Sequence, residues 1–332
     1  MNNKNILLIL LFFFITSCDR VNITKEKYKQ IIPDKVLRKC IKKSLKEKLT
    51  KANLLKVKKF SCTGKDGLIK NFKGIKLLKN IESFNMNSQN LTNLDILKNM
   101  TKINYLNLSY NHITDISKIE KLIKIKKLNL KYNEIEDISP LRSLKNLENL
   151  NLEYNMIKNI IPLVEIKTLI KIDLEYNRIK DIPDFSNSKK LSWLDLTTNE
   201  LKTLSNLEKL TNISNLYLSE NKLNGIPDLS KLNKLKVLNV QFNNLNNLEF
   251  IKNNINLKHL DLEGNKLTDI TVLNKLNKLE WLDLDDNSIK EITPLLGLKQ
   301  LKKLYIKNNC IKDFENLDIK FIKGKNEQRH CK

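Results

Sequence analysis

Ile103-Asn-Tyr-Leu-Asn-Leu-Ser-Tyr-Asn111 returns as Leu147-Glu-Asn-Leu-Asn-Leu-Glu-Tyr-Asn155 and again as Leu279-Glu-Trp-Leu-Asp-Leu-Asp-Asp-Asn287. The three stretches lie a whole multiple of 22 residues apart. Asparagine stands at 111, 133, 155, 177, 199, 221, 243, 265, 287 and 309 without a slip, and Gln89 holds the same place one step earlier. A fixed period of this size marks a solenoid, in which each unit buries its apolar side against its neighbours. Numbered from eight residues before the asparagine, residues 81–322 divide into eleven 22-residue units. Positions 1, 4, 6, 11, 14 and 17 are apolar in all eleven, in a chain that is only 41% apolar overall. Chance does not give sixty-six apolar sites without an exception.

Residues 3–7 of each unit alternate polar and apolar, the period of a half-buried strand, so successive units are expected to stack into a parallel sheet. Positions 4 and 6 point inward, and 3, 5 and 7 point out. The asparagine falls where the chain turns in after the strand, placed to satisfy backbone groups that would otherwise be buried unpaired. Pro140, Pro162 and Pro294 at position 16, with Pro183 and Pro227 one residue earlier, predict extended or 3₁₀ return segments rather than long helices. The pattern L-x-x-L-x-L-x-x-N-x-L resembles that of leucine-rich repeats. The expected architecture is a horseshoe solenoid with a parallel sheet on its concave face.

Ahead of the repeats, residues 1–17 read as an export signal. Lys4 supplies charge, Ile6 to Ile15 is a ten-residue apolar run, and Thr16-Ser17 are small; the run is too short to span a bilayer easily. Ile15-Thr16-Ser17-Cys18 resembles the lipobox of bacterial lipoproteins, which implies acylation of Cys18; an ordinary secretory signal is the alternative. Residues 18–32 then form a polar tether. Pro33-Asp34 opens a predicted helix with Leu37, Cys40, Ile41, Leu45 and Leu49 on one face and lysines on the other. Residues 59–80 keep the repeat frame loosely, with Ile69, Phe72, Ile75 and Leu78 in core register and Cys62 at the first inward site of the strand. Residues 33–80 are thus read as an N-terminal cap with a degenerate first turn, which covers the solenoid's open end, and 323–332 as a C-terminal cap tail.

The cap at Ile32-Pro33-Asp34, the turn Gly74-Ile75-Lys-Leu-Leu-Lys-Asn-Ile81 and units such as Ile135-Glu-Asp-Ile-Ser-Pro-Leu141 together resemble the internalin-type leucine-rich-repeat proteins over about 33–322. That resemblance implies partner binding through the inner face of the horseshoe, in some members to host-cell receptors. The chain ends at Lys332 without a wall-sorting motif, unlike wall-anchored members, and lipid on Cys18 would replace that anchor. It would hold the chain outside the cytoplasmic membrane or in the outer membrane.

With Cys18 lipidated, four cysteines remain. Strands at ~4.8 Å each put about 50 Å between the two caps, beyond a disulfide's ~7 Å Cα reach. Cys40–Cys62 and Cys310–Cys331 are therefore the expected pairs, with two buried free thiols as the alternative for the first. The net charge of +23 comes from 60 basic and 37 acidic residues. Nucleic acid is the usual partner for such a balance, but an export signal argues against it, and a solvated surface near anionic lipid is the better reading.

No catalytic constellation, metal-ligand spacing or phosphate loop is visible. His112, His259 and His330 are scattered, and uninterrupted repeats leave no loop to build a lidded pocket, so neither an enzyme nor a cofactor is expected. The outward strand positions are unlike the rest of the chain. Trp193 and Trp281, the only tryptophans, sit at position 3. Tyr110, Tyr132, Tyr154 and Tyr176 share position 8, and Tyr105, Tyr217 and Tyr305 also lie on the strand. Positions 3, 5, 7 and 8 hold ten acids against five lysines, a net of −5 within a +23 chain. The acids group as Glu153, Asp173, Glu175 and Asp195, and as Asp261, Glu263, Asp283, Asp285 and Asp286. Exposed aromatics beside charge are what a protein-binding surface enriches. The expected site is two patches, Trp193 with the first group and Trp281 with His259, Asp261, Glu263, Asp283 and Asp285, on a monomer that binds a protein or peptide partner. A scaffold that organises other envelope proteins is the alternative.

Overall fold

The inward leucines and isoleucines pair each unit's strand with the next, and the computed structural model shows the resulting ladder. It describes residues 25–45, 47, 50–314, 317, 319 and 321–329. Contacts group the chain into two units, Met1–Glu134 and Ile135–Lys332, each taken here by itself. The first carries helices α1 (Lys25–Ile31), α2 (Lys35–Ser44) and α3 (Lys51–Lys56) and strands β1 (Lys59–Ser61), β2 (Ser83–Asn85), β3 (Tyr105–Asn107) and β4 (Lys127–Asn129). The second carries β5 (Asn149–Asn151), β6 (Lys171–Asp173), β7 (Trp193–Asp195), β8 (Asn215–Tyr217), β9 (Val237–Asn239), β10 (His259–Asp261), β11 (Trp281–Asp283), β12 (Lys303–Tyr305) and β13 (Phe321–Lys323). Within each unit neighbouring strands pair parallel, in chain order. The return segments are extended or short 3₁₀ turns, with Pro140, Pro162 and Pro294 in the first turn of three of them. This is a leucine-rich-repeat solenoid. No described helix is long and apolar enough to cross a membrane.

Of the sixty-six apolar sites, all are buried except Ile226, Phe314 and Leu317. The last two belong to the final 22-residue unit, inside which the next strand already begins. A seventh column, position 20, is buried as well: Met100, Leu122, Leu144, Ile166, Leu210, Leu232, Leu276 and Leu298 share it with Ser188 and Asn254. The Ser188 hydroxyl and the Asn254 Oδ1 have no hydrogen-bond partner there. These two polar residues hide the column from a search for unbroken apolar positions.

The position-9 asparagines form the polar spine of the coil. Asn177 Nδ2 donates to the carbonyls of Leu152 and Leu174, both at 3.0 Å, while its Oδ1 accepts from Ile157 N at 3.0 Å. Asn199, Asn221, Asn243, Asn265 and Asn287 repeat the scheme. Each side chain thus joins two successive turns through backbone groups that water cannot reach.

The expected strand of positions 3–7 is regular only over 3–5. Backbone bonds continue to position 8, as in Tyr176 N to Thr197 O at 3.0 Å, where a left-handed residue ends the ladder. That residue has φ between 49° and 57° at Ser88, Tyr110, Tyr132, Tyr154, Tyr176, Thr198, Glu220, Phe242, Asp286 and Asn308, and 65° at Gly264. Only Gly264 takes this conformation without Cβ crowding.

At the N-terminus the cap differs from expectation in three ways. Lys25–Ile31, read as tether, is helical, with Tyr28 and Ile32 buried. Ile32 packs against Gly74, where its side chain and the Ile31 carbonyl leave no room for a Cβ and φ is 93°. The cap helix is two helices: α2 ends at Ser44 with Leu45 as its C-cap, and α3 restarts behind Thr50, whose hydroxyl accepts from Asn53 N at 3.1 Å; Leu49 lies outside the described residues. The first turn is 24 residues rather than 22, because Phe60 pairs with Phe84. Phe60 therefore fills the position-4 site and Cys62 the position-6 site. The extra two residues are taken up around the 3₁₀ turn Gly64–Asp66, after which Ile69 regains the common register by donating to Gln89 Oε1 at 2.9 Å. Cys62 is bonded to Cys40 of α2, Cα atoms 5.4 Å apart.

The C-terminal end differs too. Phe321–Lys323 is a strand that pairs with β12 in a turn of only 18 residues, so β13 begins inside the last 22-residue interval. Cys310 is disulfide-bonded; Cys331, its expected partner, lies outside the described residues, as does Cys18.

Candidate functional site

The outward positions of the strands are crowded more than alternation alone implies. Strands ~4.8 Å apart bring each side chain against its equivalents on both sides. In the first unit, Tyr110 stacks on Tyr132 with centroids 4.6 Å apart. In the second, Tyr154 stacks on Tyr176 at 4.0 Å. Tyr110 is 49% exposed, while the other three are half-buried. Phe242, at the same position 8, lays its ring over Gly264; it extends the aromatic character of this column beyond the tyrosines and was legible from its position.

Trp193 on β7 is half-buried rather than open. Lys171 Nζ sits 3.5 Å from its ring centroid, and Tyr217 lies against it at 5.3 Å. Around it, Glu153 and Asp173 are buried, while Asp195 and Glu175 are half-buried. Glu153 and Asp173 are thus less open than their outward strand positions imply. Burial first, then the negative charges of Asp195 and Glu153, lift the Asp173 carboxyl to about 6, against the pull of Lys171. Burial also raises Asp195.

The second patch is built on β10 to β13. His259, exposed, lies 6.5 Å from Trp281; Trp281 lies 5.5 Å from Tyr305, and Tyr305 5.7 Å from Phe321. Phe321 is 44% exposed and completes a row that the repeat frame hides, because its turn is four residues short. Beside the row, Asp261, Glu263 and Asp283 bring carboxylate oxygens within 4.8 Å of one another. Burial, with repulsion from Asp285, Asp261 and Glu263, lifts Asp283 to about 7. Burial, with repulsion from Glu263 and Asp285, lifts Asp261 to about 6. Glu263 and Asp285 are raised as well, chiefly by burial. Asp286 stands apart: it accepts from Arg329 at 2.8 Å and from Asn308 at 2.9 Å, so the C-terminal cap already neutralises it.

Within the second unit, then, the sequence-predicted residues Trp193, Asp195 and Tyr217 meet in one patch, and His259, Asp261, Trp281, Asp283 and Asp285 in another. Comparisons with known proteins agree on the fold. A family model described as leucine-rich repeats in two copies matches residues 123–165 and 277–318, and a single leucine-rich-repeat model matches 256–276. No curated protein matches the chain. Among solved structures it is similar to an internalin (inlF) from Listeria monocytogenes, at 26% identity and a TM-score of 0.75, covering 89% of this chain and 96% of that one. The functional domain of InlJ from the same organism matches at 20% identity and TM-score 0.61, covering 87% and 77%. A leucine-rich-repeat protein of Leptospira interrogans matches at 22% and 0.55, covering 81% and 89%. In structure the chain is thus similar to these internalins, and it shares their leucine-rich-repeat fold.

Proposed function

We propose that the chain is a binding protein whose outward strand face takes a protein or peptide partner bearing basic and apolar side chains. The observation that carries this reading is the row His259, Trp281, Tyr305 and Phe321 beside Asp261, Glu263, Asp283 and Asp285. A row of aromatics offers contact area at low entropic cost. The carboxylates beside it repel one another, and a cationic side chain laid among them would relieve that repulsion. The patch around Trp193 is secondary, since Lys171 already occupies one face of that ring. Leucine-rich repeats commonly serve as binding scaffolds, and the matched family models name no catalysis.

The same reading places the chain in the cell envelope, held by acyl chains on Cys18. Stable anchoring takes more than one chain, at ~0.8 kcal/mol per buried CH₂. Metabolic labelling with a fatty-acid analogue should mark the wild type and miss Cys18→Ala; equal labelling refutes the anchor. For the binding face, a partner captured on the immobilised chain is titrated against Trp281→Ala and Trp193→Ala beside Lys180→Ala and Lys290→Ala on the return segments. Truncating a central interface tryptophan commonly costs about 2 kcal/mol or more. Trp281→Ala should lose the most affinity. Loss confined to the lysine variants would move the site to the opposite side and overturn the proposal.

A further inference from the structure

We propose that a lysine-lined groove, on the edge where the return segments enter β7 to β11, binds a linear acidic polysaccharide. The groove has a volume of about 610 Å³ and lies wholly within the second unit. Its basic residues are Lys189, Lys190, Lys234, Lys236, Lys258 and Lys278, and among the described residues no carboxylate lines it. The lysines stand at positions 21, 22 and 2, so the 22-residue period stacks them along one edge.

Like charges gathered this closely repel one another. The remedy elsewhere on this edge is an acid one turn away, as at Lys258, which pairs with Glu280 at 2.8 Å. Among the described residues, Lys189, Lys190, Lys234, Lys236 and Lys278 form no ion pair. Lys278 donates instead to Asn256 Oδ1 at 2.6 Å, and Lys234 to Asn212 Oδ1. A neutral amide holds each ammonium in place without cancelling its charge. The groove therefore keeps fixed positive charge for a polyanion to neutralise, with release of counterions on binding.

Spacing and lining select the polymer. Position 22 reads Lys190, Asn212, Lys234, Asn256 and Lys278, a lysine on every second turn. Turns stacked at ~4.8 Å repeat those lysines every ~9.6 Å. That is close to the disaccharide repeat of an extended polysaccharide with an acidic group on alternate sugars. The exposed lysines surround half-buried Ser192, Asn212, Ser214 and Asn256, whose hydroxyls and amides suit sugar hydroxyls. A single-stranded nucleic acid uses aromatic side chains to stack its bases, and none lines this groove. A bilayer presents a surface rather than a chain, and would meet the lysine tips without reaching the serines and asparagines between them. The carboxylates of the strand face repel the same polymer, so the two surfaces take ligands of opposite charge.

The test titrates the full chain in neutral detergent with a size-defined heparin hexasaccharide, by calorimetry at about 0.15 M salt. Saturable binding is expected, with log K falling linearly against log salt. Lys234→Gln with Lys278→Gln should weaken it about tenfold and lower the salt slope by about 1.4, at ~0.7 per contact. Lys266→Gln with Lys290→Gln, on the return segments, removes the same charge and should leave affinity within about twofold. All four side chains are exposed, so both double variants should keep the wild-type thermal midpoint. Absence of saturable binding overturns the groove's role, and so does wild-type affinity in the groove variant. Equal loss in the two double variants overturns it as well, by marking a diffuse effect of net charge. Groove-dependent binding of a single-stranded oligothymidylate or of phosphatidylglycerol vesicles, tighter than that of the hexasaccharide, overturns the choice of polymer. The titration needs no protein partner, so its failure leaves the partner-binding reading standing.

Discussion

Asp283→Asn should stabilise the protein at alkaline pH and leave it nearly unchanged in acid. The Asp283 carboxyl is 8% exposed, faces Asp285, Asp261 and Glu263, and rises from its ordinary 3.8 to about 7. Between those values the native state holds a proton that the unfolded chain has released. Stability therefore falls as pH rises through that window, at 1.36 kcal/mol per pH unit for one proton. The full interval is worth about 4 kcal/mol, and about 2 is expected because coupled carboxylates share the proton. Asp261, lifted to about 6, adds a loss of the same sign. Asparagine keeps the oxygen that accepts from Asp285 N and offers the neighbouring carboxylates an N–H in place of a charge. The assay is reversible urea unfolding of wild type and variant at pH 4.5, 6 and 8. The midpoints should nearly coincide at the first pH and separate steadily toward the last, with the variant higher. Equal midpoints at pH 8, or a wild type that gains on the variant as pH rises, would refute the assignment of a buried, repelled carboxylate.

Other perturbations test the scaffold. Asn177→Ala removes donors to Leu152 O and Leu174 O and the acceptor for Ile157 N. The orphaned backbone groups should cost about 2–3 kcal/mol, read as a lower denaturation midpoint that a position-5 change such as Asn239→Ala does not match. Thr198→Gly should add about 1 kcal/mol of stability, read as a higher midpoint, since Thr198 is β-branched at φ 51° and its buried hydroxyl has no partner. Reducing Cys40–Cys62, which closes 22 residues, should cost about 3 kcal/mol in the chain-entropy model, and Cys62→Ala should make the thermal midpoint insensitive to reductant at that cap.

The fold was legible because burial repeats: six positions per unit carry a leucine, isoleucine or equivalent, and a period-2 run can only be the half-buried strand between them. What periodicity conveys is register, and it fails where the chain departs from it. Two residues taken up near Gly64–Asp66 shift Phe60 and Cys62 by one inward site, and four residues missing before Phe321 bring an aromatic onto the strand face unannounced. The cysteine pair survives the shift because positions 4 and 6 both face the cap. The candidate site was legible by residue type but not by environment. Alternation says which way Asp173, Asp195, Asp261 and Asp283 point; it says nothing of how far their neighbours bury them. That burial converts a row of surface acids into groups lifted toward neutrality. Likewise the tyrosines at 110, 132, 154 and 176 read as a ladder, but not as residues held at positive φ. A side chain kept in that conformation, where glycine would be easier, stands at a bend that points it toward the strand face. The backbone cost at position 8 is offset in each stacked pair by contact between rings. Rings already stacked on one another have less rotational freedom to lose when a partner binds.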